Sequence, residues 1–293
     1  MPEGGGDQWA DWLIRGRFAG QSAAERGRIL SELTLTRDHV LAGAQLIPGD
    51  VVLDAGCGTG LLTFGALDLV GEAGRVIGVD VSSDALGELR RVASDLGVDD
   101  RTELRVGSVV DLPLPDAPVD AVVDRSVLIY VDDKESAARE YLRVLRQGGR
   151  VSIGEPINSE SRQDFGFDLE PMRQSHERVE RRRHGETERV CAAMVNFDAA
   201  DLALTFQAAG FSTVHVEFDT NEWSTTSGEE WRQNLERAPN PLSRSAIDLI
   251  REELGSQTNA YLEFISAGID QGGYRFTCPI ALLTARSPAP SDD

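Results

Sequence analysis

Apolar and polar positions change period several times along this chain, and each change predicts an element. Over residues 7–45, Trp9, Trp12, Leu13, Leu30, Leu33, Val40 and Leu41 recur at helical spacing, so this segment is predicted to be helical. Pro48-Gly49-Asp50 is a turn. Short apolar runs then alternate with longer amphipathic stretches. Strands are predicted at 51–55, 76–80, 103–106, 121–124 and 151–155, with helices at 61–70, 84–96 and 134–146. Gly148-Gly149 reads as the stop of the last of these helices. Val76-Ile77-Gly78-Val79 shows no polar alternation, as parallel strands buried on both faces require.

After Pro156 the pattern loosens. Residues 157–196 are polar and rich in Arg and Glu. A helix is predicted at 198–209, closed by Gly210, and an alternating strand at 213–218. Residues 221–273 form a second loose stretch, with helical pieces at 229–237 and 245–254, before a last strand at 275–285. The expected organisation is a helical cover (1–47), a core (48–156), a lid segment (157–196), a core helix and strand (197–220), a helical lid insertion (221–274), the last core strand (275–286) and a flexible tail (287–293). Strand–helix alternation of this kind implies an α/β fold, doubly wound around a mainly parallel sheet of seven strands, with helical lid insertions.

Charge narrows the partners. With 29 basic and 49 acidic residues the net charge is −20, which repels nucleic acid over most of the surface. Lys134 is the sole lysine and lies in a polar run, so Schiff-base chemistry is not expected. Cys57, Cys191 and Cys278 are odd in number and far apart, without a CxxC pair. They suggest neither a disulfide framework nor a metal site, and the expected location is a reducing cytoplasm. The N-terminus lacks a secretory pattern, and no apolar run is long enough to cross a bilayer.

The chemistry concentrates in Val51-Val52-Leu53-Asp54-Ala55-Gly56-Cys57-Gly58-Thr59-Gly60. A buried strand ends at Asp54 and a helix begins near Gly60. The intervening glycines permit a tight turn and let a ligand approach the main chain. The helix N-terminus is expected to turn unpaired N–H groups toward that ligand. The next strand ends at Asp80, about where an acid can accept from both hydroxyls of a ribose, and Val81 can then cover an adenine face. The spacing departs from G-x-G-x-x-G, because the third position falls on Leu61. Asp54 would repel a pyrophosphate but suits an ammonium group. Together these features favour S-adenosylmethionine over a dinucleotide.

The segment 53–60 resembles the signature loop of class I S-adenosylmethionine-dependent methyltransferases, with further likeness at 76–80, 107–113, 119–130 and 142–156. The resemblance is close over about 38–156 and brings to mind bacterial small-molecule enzymes related to the quinone and arsenite methyltransferases. It implies a Rossmann-like fold with a final antiparallel strand. It also implies that Asp54, Gly56, Gly58 and Gly60 hold the methionine end of the cofactor. Asp80 would bind the ribose, Val81 the adenine face, Ser108 and Val109 the adenine edge, and Arg125 and Ser126 would lie near the sulfonium. Related enzymes often have Asp where this chain has Ser108, a shorter acceptor.

Catalytic residues are less legible, since an activated methyl donor needs alignment more than a dedicated base. The candidates are His176, which can titrate near neutrality, and Glu155 and Tyr130 at strand ends, each of which could equally support its neighbours by hydrogen bonds. His39 and His215 read as packing residues, His184 as part of a solvated helix face, and Cys57 as a small buried filler. The Arg181-Arg182-Arg183 run could bind an anion or simply be solvated. The expected activity is methyl transfer to an oxygen, nitrogen or carbon of a small-molecule acceptor, with no metal. A protein or tRNA methyltransferase, or a protein that binds the cofactor without methylating, are the alternatives. Neither acceptor nor oligomeric state can be read.

Overall fold

The computed structural model describes residues 7–21 and 23–289. In chain order the elements are α1 (Gln8–Asp11), a π-helical turn (Trp12–Gly16), α2 (Ala23–Gly43), β1 (Val51–Ala55), α3 (Leu61–Val70), β2 (Arg75–Asp80), α4 (Ser83–Leu96) and β3 (Thr102–Val106). They continue with β4 (Val119–Arg125), α5 (Lys134–Val144), β5 (Leu145–Pro156), β6 (Arg162–Phe165), α6 (Arg173–Cys191), α7 (Ala199–Ala209) and β7 (Ser212–Thr225). The last are α8 (Gly228–Leu235), α9 (Ala246–Leu254), α10 (Thr258–Gly272) and β8 (Tyr274–Arg286). The contacts separate two compact units: Met1–Pro156 with Phe197–Asp219 and Ile280–Asp293, and Ile157–Asn196 with Thr220–Pro279.

The first unit is built on strands in the order β3-β2-β1-β4-β5-β8, with β7 pairing β8. β1 to β5 run parallel, and residues 280–286 of β8 run antiparallel to β5. The chain order reverses between β1 and β4, where Ala55 is level with both Val79 and Asp124. Such a switch point is where open α/β sheets hold ligands. Successive side chains alternate between faces. Val123 joins Val40, Leu41, Leu62, Ala66 and Leu67 in the core under α2 and α3. Asp124 instead meets Tyr141 of α5, whose ring packs on Phe206 of α7 at 6.4 Å between centroids. Asp198 and Asp201 form a capping box that starts α7, and Gly210, at φ 106°, ends it.

Several boundaries differ from the sequence reading: β5 and β7 run over 145–156 and 212–225, where 151–155 and 213–218 are expected. The helix expected over 134–146 stops at Val144, because Leu145 already pairs with Val119 in the sheet. The Gly148-Gly149 pair lies inside β5 rather than at a helix end, with Gly149 accepting from the Ser287 N–H at 2.9 Å.

The second unit has its own core. Val179 of α6, Trp231 of α8, Ile250 of α9, and Tyr261, Ile265 and Ile269 of α10 pack together with Tyr274. β6 pairs antiparallel with residues 274–277. Helix α10 was not expected from the pattern, nor was β6. The basic run of α6 pairs with acids on its own and neighbouring helices, as in Arg189–Glu186 at 2.7 Å and Arg178–Glu253 at 2.9 Å. Among the described residues no helix is long and apolar enough to cross a membrane.

Candidate functional site

The turn after β1 is held by its own backbone. Gly56, Gly58 and Gly60 have φ of 70°, 50° and 97°, a region where a side chain is strained. Gly56 and Cys57 N–H groups both donate to Val79 O, at 2.7 and 3.1 Å, and Gly60 N–H donates to Cys57 O at 2.9 Å. Gly58 N–H donates to Asp80 Oδ2 at 2.8 Å. The sequence suggested that loop amides face a ligand. At these four positions they are turned inward, those of Gly56, Cys57 and Gly58 reaching β2 and that of Gly60 closing on the loop itself. At the glycines the main chain is packed by neighbouring side chains, with Val127, Leu13 and Phe64 standing near where a Cβ on Gly56, Gly58 and Gly60 would lie.

Asp80 stands at the end of β2 with its carboxylate fixed from two sides, since Oδ1 accepts from Ser82 N–H at 2.8 Å. Burial raises its pKa and these amide bonds oppose the rise. Val81, next to it, is 60% exposed, which leaves it available to a flat apolar ligand. Gly107 N–H donates to Asp80 O at 3.0 Å, which brings the Gly107–Val109 turn alongside. There Ser108 Oγ accepts from Val110 N–H at 3.4 Å, and Val109 is buried.

Asp54 is sealed under the loop, 2% exposed, and accepts from Thr63 Oγ1 of α3 at 2.5 Å. Burial pushes its pKa up from 3.8 to about 7, with the hydrogen bond from Thr63 opposing and the charge of Asp80 adding to the rise. The sign follows. Between pH 4 and 7 the folded state holds a proton that the unfolded chain has released, so stability falls as pH rises, by at most about 1.4 kcal/mol per unit, and levels off above 7. Asp54→Asn is expected to abolish that part of the slope. Urea denaturation of both proteins at pH 5 and pH 8 measures it, and equal pH dependence in the two would refute it.

At the end of β4, Asp124 is fully buried and accepts from the Tyr141 hydroxyl at 2.6 Å. Burial first, and then the charge of Glu155, push the Asp124 pKa well above the usual carboxylate range. Glu155, a candidate base in the sequence, is itself fully buried. Its oxygens accept from the N–H groups of Val127, Leu128 and Ile129 at 2.8, 2.9 and 3.1 Å. With no exposed oxygen, Glu155 acts as the clamp of this turn rather than as a base. The clamp holds Ser126 at φ 56° and presses Val127 on the glycine loop, where a Cβ on Gly56 would lie 2.3 Å from Val127 Cγ2.

The N-terminal residues close on the same place. Asp7 caps α1, accepting from Trp9 and Ala10 N–H at 3.0 and 3.1 Å, and its other oxygen is bonded to Ser82 Oγ. Leu13 Cδ1 is 3.2 Å from where a Cβ on Gly58 would be. Trp9 meets Tyr130 edge-on at 4.7 Å, and Arg17 lies over the Trp12 ring at 4.6 Å. Asp7, Ser82, Thr63 and Arg17 were not singled out in the sequence. Asp7 before a helical run is an N-cap signal, but nothing in periodicity pairs it with Ser82.

Thus Asp54, the glycines, Asp80, Val81, Ser108, Val109, Arg125, Ser126, Tyr130 and Glu155 all belong to the first unit, at the carboxyl ends of its strands. His176 belongs to the second unit, where Nδ1 is 2.9 Å from the Tyr261 hydroxyl and the ring packs edge-on against Phe165. Burial lowers its pKa. His39, His184 and His215 each sit beside an acid, Asp219, Glu188 and Glu217 respectively. The Cys57 thiol is pushed up by burial, in keeping with a filler packed against Gly78.

Comparison with known proteins shows the family. Residues 47–236 match a family described as a methyltransferase domain. The chain is 34% identical over 129 residues to an arsenite methyltransferase of Halobacterium salinarum, covering 44% of this chain and 33% of that protein. It is 34% identical over 151 residues to the ubiquinone/menaquinone biosynthesis C-methyltransferase UbiE of Hahella chejuensis, covering 50% and 58%. It therefore spans about a third to three fifths of the length of these relatives. The YcgJ protein of Bacillus subtilis superposes with a TM-score of 0.57 at 16% identity, over 87% of this chain and 99% of that one, and shares its fold.

Proposed function

This chain belongs to the methyltransferase-domain family, and from that premise we propose that it transfers a methyl group from S-adenosylmethionine to a small-molecule acceptor. The observation that carries the proposal is the pairing of a tight glycine turn with a fixed Asp80 carboxylate and an exposed Val81 at the sheet's switch point. A ribose diol fits two oxygens already oriented by Gly58 and Ser82, and an adenine face fits Val81. When bound, the cofactor supplies a methyl already activated by positive charge. The chain's part is to orient and to exclude water, which Leu13, Trp9 and Tyr130 are placed to do. The matched relatives bear the names of enzymes for arsenite and for quinone biosynthesis, which supports a small acceptor.

The test uses methyl-labelled cofactor with a panel of small acceptors, together with calorimetry of S-adenosylhomocysteine. The proposal expects micromolar binding and a labelled small product. Binding without product across a broad panel would favour a protein that uses the cofactor otherwise, and absence of binding would end the proposal.

A further inference from the structure

Most arginines described above are spent on acids, yet Arg17 and Arg125 are not. Among the described residues neither has a carboxylate oxygen within ion-pair distance, in a chain that carries 49 acids. Both are half-buried. Arg125 Nε is fully buried with no hydrogen-bond partner among the described residues, an expensive state for a donor on a cation. Arg17 is covered on one side by Trp12. Burial, and then the charge of Arg125, push the Arg17 guanidinium down to about 10, with Tyr130 opposing, so the two cations share one neighbourhood. Both flank the glycine turn. Arg125 directly follows Asp124, the register partner of Ala55, and Arg17 follows the turn from which Leu13 reaches over Gly58.

The acids nearby are committed elsewhere. Burial lowers the Arg125 pKa, with the charge of Glu155 opposing, and the Glu155 oxygens accept from three amides. Asp54 is bonded to Thr63, Asp80 to two amides, and Asp7 to its cap and Ser82. The region thus holds two guanidiniums without an ion-pair partner among the described residues, beside the place proposed for a cationic sulfonium, and none of these acids is free to serve as a base.

We propose that Arg17 and Arg125 form a seat for an acceptor bearing an ionised oxygen acid, a carboxylate or an acidic phenolate or enolate. The assignment rests on the methyl-transfer reading and narrows it to anionic acceptors. An acceptor of this class arrives deprotonated, so no base is needed. Its electron pair forms the bond to the methyl carbon, and the carbon–sulfur bond breaks with its pair staying on sulfur. The sulfonium becomes a neutral thioether, the acceptor loses one negative charge, and no proton moves. The seat also discriminates, because a neutral isostere leaves both guanidiniums without an ion-pair partner.

The experiment titrates the full chain, with and without S-adenosylhomocysteine, with benzoate and salicylate and with benzamide and salicylamide as neutral isosteres. The carboxylates are expected to bind at least tenfold tighter than the amides, and Arg17→Met and Arg125→Met to erase the difference, with Arg125→Lys restoring part of it. Thermal melts identify any variant that fails to fold, and the other variant then carries the test. Equal binding of acid and amide by the wild type, or binding of neither, overturns the seat. The cofactor's own carboxylate is the competing source of anion. If the variants lose affinity for S-adenosylhomocysteine but keep it for 5′-methylthioadenosine, which lacks that carboxylate, the pair serves the cofactor and the acceptor assignment falls. If the wild type binds carboxylates but not S-adenosylhomocysteine, the seat stands and the methyl-transfer reading fails.

Discussion

Asp80→Asn is expected to weaken S-adenosylhomocysteine binding by about 100-fold or more. A carboxylate accepting from two ribose hydroxyls contributes two charge-assisted hydrogen bonds, roughly 1.5–3 kcal/mol each. In the free protein that carboxylate is already held by Gly58 and Ser82, so little ordering remains to be done on binding. The asparagine brings a second effect. It has one acceptor oxygen where the site presents two amide donors, so its NH2 must face one of them. The 2′,3′-dideoxy analogue separates the two contributions. The wild type should lose on the analogue much of what the variant loses on the natural ligand, while the variant should scarcely distinguish the two. Calorimetry within threefold of the wild type for Asp80→Asn would remove the ribose role.

Gly56→Ala is expected to cost about 2–5 kcal/mol of stability and to abolish binding of the same ligand. Two independent penalties act. A φ of 70° is strained for alanine by about 1–2 kcal/mol, and the new Cβ would sit 2.3 Å from Val127 Cγ2, an overlap that something must relieve for about 1–3 kcal/mol. Val127 cannot retreat cheaply, since its N–H is held by Glu155. Adding Val127→Ala should therefore restore only the steric share, leaving the backbone share. Urea denaturation of the single and double variants decides the matter, and a Gly56→Ala protein as stable as the wild type would show that the loop is not under this constraint.

The parts of the fold that could be read were those where burial is symmetrical. β1, β2 and β4 sit between neighbours on both sides, so most of their residues are apolar, and the glycine turn with Asp80 stood out against them. β5 was read too short because its first residues, Arg146 and Gln147, are exposed, and only the pairing of Leu145 with Val119 makes that stretch a strand. Likewise β6, with the sequence Arg-Gln-Asp-Phe, has no strand signal of its own and exists by pairing with β8. Helix α10 packs on α8 and α9, so its apolar residues answer partners that are distant in sequence. At the site, residue types and spacing pointed to the glycines and Asp80 but not to the direction of the loop amides, which depends on how close β2 comes. Nor could Glu155 be distinguished as a clamp from a base, because its three amide donors lie 26–28 residues away.

Leu13 over Gly58, with Asp7 tied to Ser82, has a kinetic corollary. Anything that approaches the main chain of the glycine turn must first displace that side chain, and anything bound there leaves only when it is displaced again. Dwell time then depends on how readily residues 7–16 swing away, so changes at Asp7 or Leu13 should alter association and release rates in parallel while the equilibrium constant hardly moves.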